Sequence, residues 1–482
     1  MSKFTLKNFQ PTSYAKRMRR TQNIHLIGIG GIGMSGIAEI LLNQNYNVFG
    51  SDLHESPITK RLEELGAKIF RGHDAKNITQ ADVVVISSAV QPANVELIEA
   101  KNRHIPIISR ASMLAELMRF HCGVALTGTH GKTTTTSLVV SILAEAGLDP
   151  TFAIGGRLNS VGTNAKLGMG EYFVVEADES DASFLQLLPT IVAVTNIDID
   201  HMENFSGDFS KLQDIFIKFL ERLPFYGLAV LCIDDPIIRK IIAKVSCQVI
   251  TYGVSPDADI RMLNFKQEGR KCDFEVINKA QNKTRKFTVN LAGEHNCLNS
   301  LAAIAIADEL EISDEIINKA LTNFAGVGRR FQHVGQYKLT DGVVDVIDDY
   351  GHHPREIAAT IKAARVCWPD RRLSLLFQPH RYTRTRDLFN DFTETLSLAD
   401  QVLLLDVYPA GENLIIGATT NDLAESIKKL GKTKLTILGT EQNLQQNIDA
   451  FLQKNDILLA TGAGSISAMV KRLLVKNAQN KE

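Results

Sequence analysis

Short apolar runs alternate with helix-periodic stretches along most of this chain. Ile24-His25-Leu26-Ile27, the segment Tyr46 to Gly50, Ala81-Asp82-Val83-Val84-Val85-Ile86-Ser87-Ser88 and Ile105-Pro106-Ile107-Ile108-Ser109 read as short buried strands with amphipathic helices between them. Strands apolar on both faces, each followed by a helix, predict a doubly wound parallel sheet over residues 23–120. Ligands of such sheets sit at the carboxyl ends of the strands. The rhythm restarts at Gly123, where Val124-Ala125-Leu126 is followed by a helical pattern from Leu138 to Ala146 and by strands at 172–176, 191–195 and 228–233. Residues 257–292 alternate without helical periodicity and read as β-rich, and a helix is expected from Asn296 to Leu310. A linker, Gly326-Val327-Gly328-Arg329-Arg330-Phe331, precedes a third α/β unit that begins at Val343, with strands at 373–377, 402–407 and 456–460.

Length and charge narrow the functional classes. At 482 residues the chain has room for about three domains, each with its own core. Lys plus Arg (53) against Asp plus Glu (54) leaves a net charge of −1, which argues against a protein that coats nucleic acid. The basic run Lys16-Arg17-Met18-Arg19-Arg20 reads as a solvated tail. The N-terminal arm has no apolar core of a signal peptide, and no apolar run is long enough for membrane insertion. The cysteines at 122, 232, 247, 272, 297 and 367 show no C-x-x-C spacing and read as reduced core thiols of a cytoplasmic protein.

Residues 127–136, Thr-Gly-Thr-His-Gly-Lys-Thr-Thr-Thr-Thr, carry the strongest chemical signal. Gly128, Gly131, Lys132 and Thr133 form the core of a phosphate-binding loop between a strand and a helix, although Leu126 replaces the first glycine of the strict pattern. Glycines let the backbone close around phosphate oxygens, lysine supplies charge to the β/γ positions, and the hydroxyl can ligate Mg²⁺. Gly28, Gly30 and Gly33 satisfy G-x-G-x-x-G, with Asp52 at the end of a second strand. That segment fits NAD or FAD and another nucleotide diphosphate equally. Two phosphate cradles, one bearing a lysine, point to an enzyme that handles two nucleotides.

Further candidates lie at strand ends. Glu176 opens the acidic run Glu176-Ala177-Asp178-Glu179-Ser180-Asp181 and suits a Mg²⁺ ligand, whereas Asp181 reads as a helix cap. His201, among Asp198, Asp200 and Glu203, suits metal binding or donation to a phosphoryl oxygen. Asn296 fits a helix cap and an adenine-reading amide equally, and Arg329 and Arg330 fit a phosphate clamp or an interdomain ion pair. Asp348-Asp349-Tyr350-Gly351-His352-His353-Pro354 and Gln378-Pro379-His380-Arg381-Tyr382-Thr383-Arg384-Thr385-Arg386 gather basic groups at strand ends, suited to a carboxylate-bearing co-substrate.

With these motifs in this order, and with Gly293-Glu294-His295-Asn296 between them, the chain resembles the Mur ligases over nearly its whole length. The resemblance implies an N-terminal Rossmann-like domain (1–122) for a UDP-sugar, a central P-loop ATPase-like domain (123–327) and a C-terminal Rossmann-like domain (328–482) that receives an amino acid. It turns the first glycine cluster from a dinucleotide site into a UDP site. Within the family it implies the branch that joins L-alanine to UDP-N-acetylmuramate. There the lactyl carboxylate takes the γ-phosphoryl group of ATP, and the amine displaces phosphate from the acyl phosphate. The implied ATP site is Gly128, Thr129, His130, Gly131, Lys132, Thr133, Thr134, Asn296, Arg330 and Asp348. The implied UDP-sugar site is Gly30, Gly31, Ile32, Gly33, Asp52, His73, Ser87 and Ser88. His352, His380, Arg381 and Arg384 take the amino acid, and Thr133, Glu176 and His201 take Mg²⁺, as two ions. Lys132, His201, Arg381 and Arg384 screen the charge during transfer. Other branches use a carbamylated lysine; Lys218 lies near that region and is left unassigned. A dehydrogenase, a P-loop switch and a sister ligase that recycles a tripeptide are the competing classes, and a monomer or homodimer is expected.

Overall fold

Five parallel strands build the first sheet of the computed structural model, which describes Met18 and residues 20–479 apart from 88, 120, 201 and 206. They are β1 (Asn23–Ile27), β2 (Asn47–Asp52), β3 (Lys68–Arg71), β4 (Val83–Ile86) and β5 (Ile107–Ser109), in the order β3-β2-β1-β4-β5. The order reverses between β1 and β4, which opens a crevice at their carboxyl ends. β1 leads through Gly28 (φ +75°) to Gly31, which caps the helix Ile32–Asn43. β3 escapes the sequence reading because Lys-Ile-Phe-Arg at a sheet edge is only half apolar.

The second sheet has ten strands, in the order β15-β14-β13-β12-β11-β10-β6-β9-β7-β8. They are β6 (Cys122–Thr127), β7 (Thr151–Leu158), β8 (Thr163–Lys166), β9 (Tyr172–Glu176), β10 (Ile191–Val194), β11 (Leu228–Cys232), β12 (Gln248–Gly253), β13 (Ile260–Glu268), β14 (Lys271–Asn278) and β15 (Lys283–Val289). The middle of the sheet is parallel, and antiparallel pairing of β7 with β8 and of β13 to β15 extends its two ends. The expected β-rich segment is thus β13 to β15, while β7, interrupted by Gly155 and Gly156, and the short polar β8 were unanticipated. The helix Lys132–Glu145 runs from β6 despite four consecutive threonines. The hydroxyls of Thr135, Thr136 and Ser137 donate to the carbonyls of Gly131, Lys132 and Thr133, so these buried polar groups are satisfied inside the helix.

The third sheet follows the order β16-β17-β21-β18-β19-β20, with β16 (Gln332–Lys338), β17 (Val343–Asp349), β18 (Leu373–Phe377), β19 (Gln401–Leu405), β20 (Lys434–Gly439) and β21 (Ile457–Thr461). It begins at β16, earlier than the expected Val343. β16 is a polar edge strand that pairs antiparallel with β17 and is bulged between His333 and Gly335. The first two sheets share a continuous apolar core, and the third has two cores of its own. Gly36 sits where a Cβ would come within 2.9 Å of Ala165 Cβ, so the helix Ile32–Asn43 packs closely on β8. Three of the cysteines are buried and three half-buried, and all six are free. Among the described residues no helix is long and apolar enough to cross a membrane. Lys16, Arg17 and Arg19 of the basic run lie outside the described residues.

Candidate active site

β6 ends at Thr127, and the chain turns through Gly128 (φ +124°) and Gly131 (φ +83°) into the helix Lys132–Glu145. Gly131 caps this helix without any side-chain bond, which leaves the first-turn N–H groups directed at one point, as an anion requires. The carboxyl end of β10 holds the loop in shape. Asn196 Oδ1 accepts from His130 N at 2.8 Å, and Thr195 Oγ1 donates to His130 O at 2.6 Å. Lys132 Nζ donates to the carbonyls of Gly128 (2.7 Å) and Thr129 (3.2 Å) and to Glu179 Oε1 (2.9 Å). Burial opposes its charge, but Glu179, Asp178 and Glu176 outweigh that cost and hold the ammonium above its usual range. Burial also pushes the Glu179 carboxyl up to about 7.

Thr133 and Glu176 meet beside this lysine. Thr133 Oγ1 donates to Glu176 Oε1 at 3.1 Å, and Gly155 N donates to Glu176 Oε2 at 2.8 Å. Ligands that share Mg²⁺ at about 2.1 Å stand about 3.0 Å apart across one octahedral edge. The hydroxyl and carboxylate therefore already have the separation of adjacent ligands, and both are the hard oxygen donors that Mg²⁺ selects. Asp181 Oδ1 accepts from Ser183 N at 2.9 Å in a local turn, and Ala182, not Asp181, takes the cap position of the short helix Ser183–Gln186. Lys218 lies apart from this pair, in a pocket with Asp181 and Lys211.

Two cavities adjoin the loop and a third reaches Glu176 beside it. The largest, of about 730 Å³, has Lys132, Thr133 and Glu176 on one wall and Arg330, His352, His380, Arg381 and Arg384 on the other, so the central and third domains face each other across it. Arg384 Nη2 donates to Asp200 Oδ1 at 3.0 Å, and its Nη1 lies 3.3 Å from His380 Nδ1. Burial lowers the His352 imidazole to about 3 and keeps it neutral. Arg329 and Arg330 stack over the Tyr350 ring at 4.7 and 5.1 Å. The second cavity is lined by Thr134, Asn296, Asn299, Tyr252, Phe331 and Asp349. The third lies at the first sheet's crevice, with Gly31, Gly33, Ser87 and Arg110 around it. It shares Gly155, Glu176 and Asp178 with the large cavity, so the two are joined beside the Thr133–Glu176 pair.

Several expected residues stand elsewhere. Asp348 lines none of these cavities. It accepts from Ser467 on the opposite side of β17, and alternation along the strand turns Asp349 to the cavity instead. Asp52 Oδ2 accepts from Gly30 N at 2.8 Å and braces the glycine turn, away from the cavity wall. His73 Nδ1 bonds Ser51 Oγ at 3.0 Å and lies 3.4 Å from Glu96, again behind the turn. Asn296 is not a cap: the helix Glu294–Glu309 is capped by Gly293, and Asn296 Nδ2 donates to Ala292 O at 2.8 Å while the residue lines the second cavity. His201 and Ser88 lie outside the described residues. Ile32 is the first residue of its helix.

Arg110, Thr195 and Asn196 also stand at these walls and were not anticipated from the sequence. Arg110 opens the helix Arg110–Met118 with no motif to mark it, and Gly33 leaves room for its guanidinium, which a Cβ would meet at 2.9 Å. Thr195 and Asn196 were read only as a strand end. His130 bridges two domains: its Nε2 is 3.2 Å from Asp198 Oδ2 and its Nδ1 is 3.3 Å from Glu356 Oε1. Burial disfavours the imidazolium, but these two carboxylates prevail and raise His130 to about 9. His130, Asp198 and His353 are metal-type donors within 4.8 Å of one another. Arg355 Nε stands 3.1 Å from the same Asp198 oxygen, so the cluster is satisfied as an ion-pair network.

Models of three Mur ligase domains match this chain: the family's catalytic domain at residues 23–121, its middle domain at 126–307 and its glutamate ligase domain at 329–464. Among solved structures the chain is similar to the UDP-N-acetylmuramate-alanine ligase MurC of Thermotoga maritima (29% identity, TM-score 0.80, covering 95% of this chain and 100% of that one). It is also similar to a murein peptide ligase of Psychrobacter arcticus (25% identity, TM-score 0.70, 95% and 98% covered). A third likeness is the UDP-N-acetylmuramate:L-alanyl-gamma-D-glutamyl-meso-diaminopimelate ligase of Neisseria meningitides (29% identity, TM-score 0.59, 64% and 100% covered).

Proposed function

The chain belongs to the Mur ligase family of ATP-dependent peptidoglycan-precursor ligases, and from this premise we propose that it joins L-alanine to the lactyl carboxylate of UDP-N-acetylmuramate in the cytoplasm. The observation that carries the reading is the junction of two cavities at Gly155, Glu176 and Asp178, beside Lys132 and opposite His380, Arg381 and Arg384. A UDP-sugar in the crevice of the first sheet would present its carboxylate at that junction. ATP would lie with its adenine near Asn296 and its phosphates on the loop 128–133.

Transfer sets a carboxylate against a triphosphate, two anions that repel. Lys132 supplies a charge held in place by carbonyl and carboxylate contacts, and the loop N–H groups bind phosphate oxygens without reorganisation. Thr133 and Glu176 would hold Mg²⁺, which when bound neutralises charge across the β- and γ-phosphates. The carboxylate oxygen attacks the γ-phosphorus, ADP leaves, and the acyl phosphate remains in the large cavity. The amine of alanine, its carboxylate held by Arg381 or Arg384, attacks the acyl carbon, and phosphate departs.

A tripeptide acceptor is the second reading, favoured by the likeness to the two peptide ligases. ADP release measured against L-alanine, glycine, L-serine and the tripeptide, with and without UDP-N-acetylmuramate, separates the two. The proposal expects release that depends on both the UDP-sugar and L-alanine. Release independent of either, or greatest with the tripeptide, overturns it.

A further inference from the structure

Glu356 lies on the partition between the adenine-side cavity and the large cavity, and lines both. Its two carboxylate oxygens face different domains. Oε1 is 3.3 Å from His130 Nδ1 in the phosphate loop and 3.8 Å from Arg330 Nη1. Oε2 accepts from the backbone N–H of His352 at 3.0 Å and of His353 at 3.2 Å. The second set closes a capping box at the start of the helix Pro354–Cys367, with His353 as the cap and Glu356 three residues later. This box fixes the turn that presents His352 to the large cavity, where the His352 ring lies 6.2 Å from that of His380. One half-buried side chain thus ties the phosphate loop to the backbone of the proposed amino-acid subsite.

We propose that Glu356 is a positioning residue that couples nucleotide occupancy of the phosphate loop to amino-acid affinity in the third domain. The inference rests on the amino-acid assignment made above. Nucleotide that fixes the loop fixes His130, and His130 fixes Glu356 and the turn it holds. Linkage makes the effect reciprocal, so acceptor tightens nucleotide by the same factor. Because Glu356 lines both cavities and touches His130, its role is read from the coupling between the two ligands, not from the binding of nucleotide alone. Its sequence signal was hidden: a capping box normally opens on Ser, Thr, Asp or Asn, and here a histidine stands in that place.

The test measures the Kd of Mg²⁺ and a non-hydrolysable ATP analogue by calorimetry, with UDP-N-acetylmuramate present, at zero and at saturating L-alanine. Wild type should bind the analogue more tightly with alanine by a factor within the usual allosteric range of about 5–150. In Glu356→Gln the amide oxygen can still accept from the His352 and His353 N–H groups, but the NH₂ group opposes the His130 donor. Its coupling, the ratio of the analogue's Kd values without and with alanine, should fall below about twofold whatever the Kd without alanine, while the melting temperature is retained. His130→Gln should give the same loss, and the double variant no further loss. Undiminished coupling in a folded Glu356→Gln, or no coupling in a wild type that binds L-alanine, overturns the proposal. A wild type that binds no L-alanine under any condition instead refutes the acceptor assignment on which it stands.

Discussion

Lys132 remains charged in a buried position because carboxylates surround it and two loop carbonyls accept hydrogen bonds from its ammonium. Its partner Glu179 is a competitor for the same ammonium that phosphate would engage. Lys132→Ala should lower kcat by at least about 10²-fold, the usual cost of one removed electrostatic donor in phosphoryl or acyl transfer. Steady-state assay of ADP release checks this, and full activity would exclude the assigned role. Glu176→Gln removes one of the two oxygens placed at the ligand spacing. The Mg²⁺ concentration for half-maximal rate should rise at least about tenfold, as even outer-shell partners cost about 10–100-fold. An unchanged Mg²⁺ titration would show that the ion sits elsewhere. At this scale the sequence was most legible where a motif has one physical solution, as in Gly128 to Thr133. It misled at Asp348, because two adjacent acids on a strand cannot be told apart until the strand's faces are known.

Elements, rather than single residues, carry the second lesson. Strands apolar on both faces were readable from the chain, whereas the polar edges β3 and β16 and the glycine-interrupted β7 were not, since their stability comes from pairing with a neighbour already in place. The first sheet also hides a polar network that no periodicity reveals. Glu96, fully buried on the helix Val95–Asn102, accepts from Ser51 at 2.6 Å, lies 3.3 Å from His25 Nε2 in β1 and is bonded by Asn77. Burial disfavours its charge, yet hydrogen bonds from His25, Ser51 and Asn77 lower it to about 2, below an ordinary value of 4.5. A depressed carboxyl contributes stability that is complete above the unfolded value and is lost as pH falls through the folded one. Glu96→Gln should therefore lower unfolding free energy by about 1–3 kcal/mol at neutral pH. The deficit should shrink between pH 4.5 and about 2, as the wild-type carboxyl protonates. Urea unfolding across that range checks both; a deficit that stays constant would place Glu96 outside the network's energetics.

On the scale of the whole molecule, three domains contribute to one large cavity and its two neighbours. The central and third domains are tied across it by Arg384 with Asp200 and by His130 with Glu356, both of them ion pairs between domains. Such contacts depend on the domains' relative placement, which explains why Arg384 was readable as a basic strand-end group and Asp200 as an acid beside His201, but not their pairing. Arg384→Ala should raise the KM for L-alanine about tenfold or more, the loss expected for a hydrogen bond to a charged group, with a smaller change in the KM for ATP. An unchanged alanine KM would remove Arg384 from the acceptor site. The central claim is that the UDP-sugar carboxylate itself takes the γ-phosphoryl group. UDP-N-acetylmuramate carrying ¹⁸O in its lactyl carboxylate tests this in one turnover experiment, with the released phosphate read by ³¹P NMR. Phosphate bearing one ¹⁸O per molecule is the result expected, because the bridging oxygen leaves with phosphorus when the amine attacks. Unlabelled phosphate formed alongside the amide product would contradict the account.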